Sequence, residues 1–409
     1  MAAAPPPTPK HLIRSHTGQM NVVSFSDDNE RIYSGDADGT VVVTSTRSLR
    51  AIATWKAHTD GLLGIQEWEE QAQIITHGRD NKLHVWSTVK EAGSARVLGG
   101  SASLPGLQAP ELCYSMDVNA LNYCRFSLLP LPEVVCTEDR CALIAVPNLV
   151  ESAHADVWTL PGRQRLHAAI GKAGQEQTAS DGRDVRNPVG IIMSMHLSTA
   201  PHPHTAGRTR LRLLCGYENG SVTMREYHGS AEMSIEGRGW DVVWSVRLHM
   251  ESIMAMTVSR DEAFALSVSA DHLVGRYNLE AEKPESLSSA CTVHRTKHPG
   301  NGAVSIRDDG RVCAVGGWDG RVRLYSTKTF KSLGSLVYHK KNCQSVAFAR
   351  SPPDLRSAEH GTDAEGCDKV DEEEDDMSEA EKQERARWLV SGGQDSRVVV
   401  WSLMDFNKS

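Results

Sequence analysis

Four side-chain types recur at matched spacing in this chain, and together they could do hydrolytic chemistry. Thr76 and Asp80 have His58 upstream and Trp86 downstream, and Ser391 and Asp395 have His339 and Trp401 in the same places. His249, Ser267, Asp271 and Tyr277 repeat the spacing with Tyr last, while His16 and Ser34 begin it near the start of the chain. A hydroxyl bonded to an imidazole that a carboxylate orients is the arrangement of a nucleophilic triad. Recurrence argues against that use, because one active site needs one such set, and no GxSxG elbow surrounds any of these serines. The same groups can instead fasten strands together, each hydrogen bond netting about 0.5–1.5 kcal/mol. The expected role is structural, with no catalytic residue and no cofactor. No metal site is expected either: the loose group His196, His202 and His204 is broken by two prolines and has no Cys partner.

The elements that position these groups follow from a phrase repeated along the chain. It reads SGDADGTVVVTS at 34–45, THGRDNKLHVWS at 76–87, CGYENGSVTMRE at 215–226, LSVSADHLVGRY at 266–277, VGGWDGRVRLYS at 315–326 and SGGQDSRVVVWS at 391–402. Each copy is a tight acidic turn followed by an alternating apolar strand. The anchors, Asp in five copies and Asn in one, are Asp38, Asp80, Asn219, Asp271, Asp319 and Asp395, with intervals that include 42, 52 and 48 residues. This period and this turn chemistry resemble the WD40 repeat, whose copies form the blades of a β-propeller. The predicted fold is all-β, a seven-bladed WD40 propeller in a single domain closed by an N-terminal strand near His11–Arg14. The 139 residues between Asp80 and Asn219 are too many for one repeat. They predict a degenerate third blade running from 116–126 through 141–147 to 155–160. The propeller is expected over 10–404, after a disordered stretch at 1–9. Loop insertions are expected at 93–112, 161–186 and 200–209, and an acidic disordered one at 350–387.

Composition narrows the function. The 409 residues are 40% hydrophobic with a formal net charge of −8, and no apolar run approaches the 18 residues of a membrane span. Neither direct nucleic-acid binding nor a membrane is expected, since there is no basic footprint. Nine cysteines include no CxxC pair; Cys136 and Cys141 lie closest. Cys113, Cys124, Cys215, Cys313 and Cys343 read as small core fillers in a reducing compartment.

A propeller without catalytic residues is expected to bind other proteins. The residue before each anchor is placed at the turn apex: Ala37, Arg79, Glu218, Ala270, Trp318 and Gln394. Trp318 and Arg79 stand out because Trp and Arg dominate binding hot spots; Glu218 and Gln394 complete the candidate set. Ser378, followed by Glu379 and Glu381 in the acidic insertion, suits an acidophilic kinase.

Several stretches are more specific than the generic repeat: HPGNGAVSIRDDGRVCAVGGWDGRVRLYS at 298–326, HGRDNKLHVWS in the second blade, GYENGSV in the fourth, and the opening PPPTPKHLIRSHTGQMNVVSF. Together they resemble the ASTRA-associated protein 1 family and its animal counterparts, called G-protein β-subunit-like, from about Pro5 to Leu403. That resemblance implies a non-catalytic scaffold subunit of the ASTRA complex, linked to chromatin remodelling and to maturation of PI3-kinase-like kinases. The implied partners are the TTT co-chaperone, the RuvB-like ATPases and a PI3-kinase-like kinase or pseudokinase, with no small-molecule substrate. Nuclear localisation is likewise implied by the family. Two alternatives are a substrate receptor of a ubiquitin ligase and a G-protein β-type signalling subunit. The second would need an N-terminal coiled coil, where this sequence has about ten residues, four of them proline.

Overall fold

The computed structural model describes residues 7–89, 107, 109–119, 121–172, 189–201, 209–229, 232–280, 290–351 and 377–404. Within them the chain forms seven antiparallel four-stranded sheets. The innermost strands are Met20–Phe25, Leu62–Trp68, Ser127–Pro130, Ile192–Pro201, Ile253–Val258, Asn301–Ile306 and Cys343–Phe348. Each sheet uses consecutive strands except the last, whose outer strand is His11–Ile13 paired with Arg397–Ser402. His11 lies opposite Val400, Leu12 opposite Val399 and Ile13 opposite Val398, so the ring has no open edge at its seam. The fold is the seven-bladed propeller expected.

Burial explains why these sequences form blades. Second strands such as Val312–Gly317 are buried on both faces, whereas outer strands such as Ser332–Val337 are mostly exposed. Side chains from neighbouring sheets interleave, and among the described residues one apolar cluster fills each of the seven interfaces. The cluster at the seam joins Ile13, Met20, Val23 and Phe25 to Trp388, Val390, Val398 and Val400. Each fully buried Val, Leu, Ile or Phe contributes about 1.5–3 kcal/mol relative to exposure.

Several boundaries differ from expectation. The third blade begins at Ser127, not within 116–126, because Leu112–Asp117 is the outer strand of the second blade. That strand starts at Leu112, the last residue of the first expected insertion. Arg165–Ile170, inside the expected 161–186 insertion, is the outer strand of the third blade. The expected 200–209 insertion is the end of a long hairpin in which Pro201 still pairs with Thr209. In the acidic insertion the described end is ordered: Glu379–Arg385 is a short helix. The runs 93–106, 173–186, 202–208 and 352–376, and the first six residues, lie outside the described residues. Cys136 and Cys141 form a disulfide, and Cys113 is exposed where a core position was expected.

Candidate functional site

The repeated polar sets are hydrogen-bonded chains that pin each acidic turn to its sheet. In the second blade His58 Nδ1 lies 2.9 Å from Asp80 Oδ1 and His58 Nε2 lies 2.8 Å from Thr76 Oγ1, to which Trp86 Nε1 donates at 2.9 Å. In the seventh blade the corresponding distances are 3.0 Å for His339–Asp395, 2.9 Å for His339–Ser391 and 3.0 Å for Trp401–Ser391. The fifth blade closes the chain through Tyr277, whose hydroxyl lies 3.0 Å from Ser267 Oγ. Burial pulls the His58 imidazole below its ordinary pKa, partly offset by Asp80. Burial alone would raise the Asp80 carboxyl, but hydrogen bonds from Thr59 and His58 outweigh it and hold the group lower. The hydroxyls of Thr76, Ser267 and Ser391 are fully buried, which leaves no approach for a substrate at any of them.

In the first blade the anchor is Asp36 rather than Asp38. His16 Nδ1 meets Asp36 Oδ2 at 2.8 Å, and the other Asp36 oxygen accepts from the Asp38 and Thr40 amides. The reason is visible one blade on. A Cβ at Gly78 would sit 2.3 Å from His58 Nδ1, and one at Gly393 would sit 2.5 Å from His339 Nδ1. Where those blades have Gly-X-Asp, leaving space for His to reach the Asp, the first has Asp-Ala-Asp, and its earlier carboxylate intercepts the imidazole.

Other blades use different fasteners. In the sixth, among the described residues, no His bonds the anchor; Arg323, a buried side chain, grips Asp319 with both terminal nitrogens. In the fourth, Arg225 donates to the Tyr217 hydroxyl at 2.7 Å, and Asn219 Oδ1 accepts from Ser221. In the third, Asn148 Nδ2 donates to buried Asp156 at 2.8 Å. His58, Asp80 and His84 come close enough together to suggest a metal site. Both His58 nitrogens already have partners, His84 Nδ1 is 2.7 Å from Ser115 Oγ, and the two rings stack. The trio therefore fits a fastener.

The turn apices form one end of the ring. There a cavity of about 400 Å3 opens into the central channel, lined by residues from the first six blades and the seventh. Of the apex candidates, Arg79 and Trp318 border it, as does Ala37; Glu218 and Gln394 do not. Glu218 caps the neighbouring loop by accepting from the Ile191 amide at 3.3 Å, and the Gln394 amide donates to the Asn342 carbonyl. Trp318 is 43% exposed. Its ring lies on Gly300 and Gly302, where an added Cβ would come within 2.9 and 3.2 Å of it, and Gly300 has a φ of +79°. The HPGNG and GGWDG stretches are therefore two halves of one feature: bare backbone seating an indole.

Sequence reasoning missed three lining residues. Tyr123, 55% exposed, lies under the Arg79 guanidinium at 4.8 Å; Arg125 projects from the same loop, and Met254 comes from the fifth blade. Tyr123 and Arg125 precede a strand too irregular to count register along. On the opposite end of the ring, Ser378 caps the Glu379–Arg385 helix. Its backbone and hydroxyl both donate to Glu381, whose amide donates back to Ser378 Oγ at 3.4 Å.

The WD40 family (WD domain, G-beta repeat) matches residues 7–45, the ring-closing strand with three strands of the first blade, and 291–326, the outer strand of the fifth blade with three strands of the sixth. ASTRA-associated protein 1 of Verticillium alfalfae is 32% identical over 406 residues, covering 97% of this chain and 93% of its own. The chain belongs to the ASTRA-associated protein 1 family. Another member of this family, from Pyricularia oryzae, is 29% identical over 98% of both chains. The mouse guanine nucleotide-binding protein subunit beta-like protein 1 is 24% identical over 98% of this chain and 97% of its own. Alignment of ASTRA-associated protein 1 sequences along nearly the whole ring means that the likeness is not confined to the generic repeat.

Proposed function

We propose that this chain is a propeller adaptor of the ASTRA assembly that holds other subunits and leaves the chemistry to them. The observation that carries this reading is the full-length likeness to proteins named for association with ASTRA. The geometry supports it: the polar sets that resemble active sites are buried fasteners, while Trp318, Arg79 and Tyr123 are presented around one open end. The partners are the TTT co-chaperone, the RuvB-like ATPases and a PI3-kinase-like kinase or pseudokinase, and the compartment is the nucleus. Affinity purification of the tagged full chain followed by mass spectrometry tests this. Recovery of those subunits is expected; recovery of cullin components or a G-protein γ subunit in their place overturns it. Imaging of the same tagged chain checks the compartment, and exclusion from the nucleus overturns that part.

A further inference from the structure

The channel mouth holds a cation without a counter-charge. Arg125 lines the cavity, and among the described residues its guanidinium has no ion pair, hydrogen bond or ring contact. The other arginine lining the cavity, Arg79, stacks on Tyr123. The Arg125 side chain is exposed to the channel, and the protein packed around it pulls its pKa below the ordinary value. An exposed, unpaired guanidinium at a concave mouth is open to donating a charge-assisted hydrogen bond to an arriving anion.

The rim shows what kind of anion fits. Trp318, Tyr123 and Met254 are 43%, 55% and 40% exposed, an apolar and aromatic border unsuited to a free hydrated ion. Asp60 borders the cavity too; its charge offsets part of the attraction and weighs more heavily against a doubly charged phosphate than against a single carboxylate. We propose that the channel mouth receives one Asp or Glu side chain from an extended segment of a partner protein. Arg125 is its counter-ion, and the flanking residues of that segment lie on Trp318, Tyr123 and Met254. This rests on the docking reading above and adds the chemistry by which the partner is recognised.

The test is selection of short random peptides on the purified full chain, followed by fluorescence anisotropy with the enriched peptide. Enrichment of one acidic residue flanked by apolar ones is expected. Affinity should fall roughly 30-fold or more with Arg125→Met, while Arg125→Lys keeps most of it. Exchanging the peptide's acid for its amide should cause a similar loss on the unaltered protein, which keeps the test decisive even if Arg125→Met folds poorly. Selection without acidic residues, or equal binding by Arg125→Met, overturns the inference. Equal or tighter binding of the phosphoserine version overturns the carboxylate assignment. Unchanged recovery of the ASTRA subunits by Arg125→Met would overturn this inference and leave the adaptor reading standing; their absence from the unaltered protein would sink that reading instead.

Discussion

The second and sixth blades present the two apex residues that border the channel, Arg79 and Trp318, yet they hold their turns in different ways. In the second, Asp80 is fixed by a neutral imidazole that is in turn bonded to a buried hydroxyl and an indole. In the sixth, Asp319 is fixed chiefly by the Arg323 guanidinium, with the Arg321 amide donating at 3.2 Å; Asp319 itself is 44% exposed and the Arg 6%. The first device spreads over several strands and depends on an uncharged ring. The second is mainly one ion pair with an end in solvent, helped by a backbone amide. The same turn can thus be secured by a network or by a clasp, and the two should respond to different stresses.

Removing the anchor should expose the difference most. Asp80→Ala leaves His58 and the Thr59 amide without their acceptor, and a loss of about 3 kcal/mol is expected in denaturant unfolding. A loss no larger than that of Asp319→Ala would remove the distinction. Acid should act next, and on the second blade first. Burial lowers His77 to about 3 from an ordinary 6.5, so the unfolded chain takes up this proton more readily than the folded one. Its contribution is complete above pH 6.5 and drains away as pH falls toward 3, costing about 2 kcal/mol near pH 5. The Asp319 carboxyl, which burial alone would raise, is held below its ordinary 3.8 by Arg323; its contribution fades only below that value. Hydrogen exchange near pH 5 should therefore open the second blade while the sixth stays protected, and His77→Phe should flatten the acid limb. Salt should reverse the order. Asp319→Ala is expected to cost about 1 kcal/mol at low ionic strength and less in high salt, as thermal melts in a salt series would show. The smallest stability change belongs to Trp318→Ala, at under about 1 kcal/mol for a half-exposed ring. Partner recovery per folded molecule should nevertheless fall; an unstable variant that still binds fully would place Trp318 with the fasteners.

The ring and its seam were legible because each turn carries its acid at a countable interval and His11–Ile13 completes a blade that otherwise has three strands. What escaped has local causes. The GDADG of the first turn contains two acids, and counting from Ser34 selects Asp38; the signal is the extra acid, Asp36, standing where the second and seventh blades have glycine. The third blade's inner strand, SLLP, is too short to alternate, and the MD of the supposed strand at 116–126 belongs to the previous blade. Arg323 was hidden because a charged residue midway along a strand reads as an exposed position until its acid partner is seen four residues earlier. Arg125 and Tyr123 lie where the repeat cannot be counted, so their place at the channel could come only from three-dimensional structure.

The pairing of His11–Ile13 with Val398–Val400 also sets an order on biosynthesis. The segment that seals the circle leaves the ribosome ahead of the blades and then waits for all of them to be translated before its neighbour exists. Throughout that interval the apolar side of Ile13 and the seam face of Met20 and Phe25 lack their cover. A nascent chain of this design is therefore exposed to wrong associations for nearly its entire translation, and slowing elongation late in the message should lower the yield of sealed protein more than slowing it early.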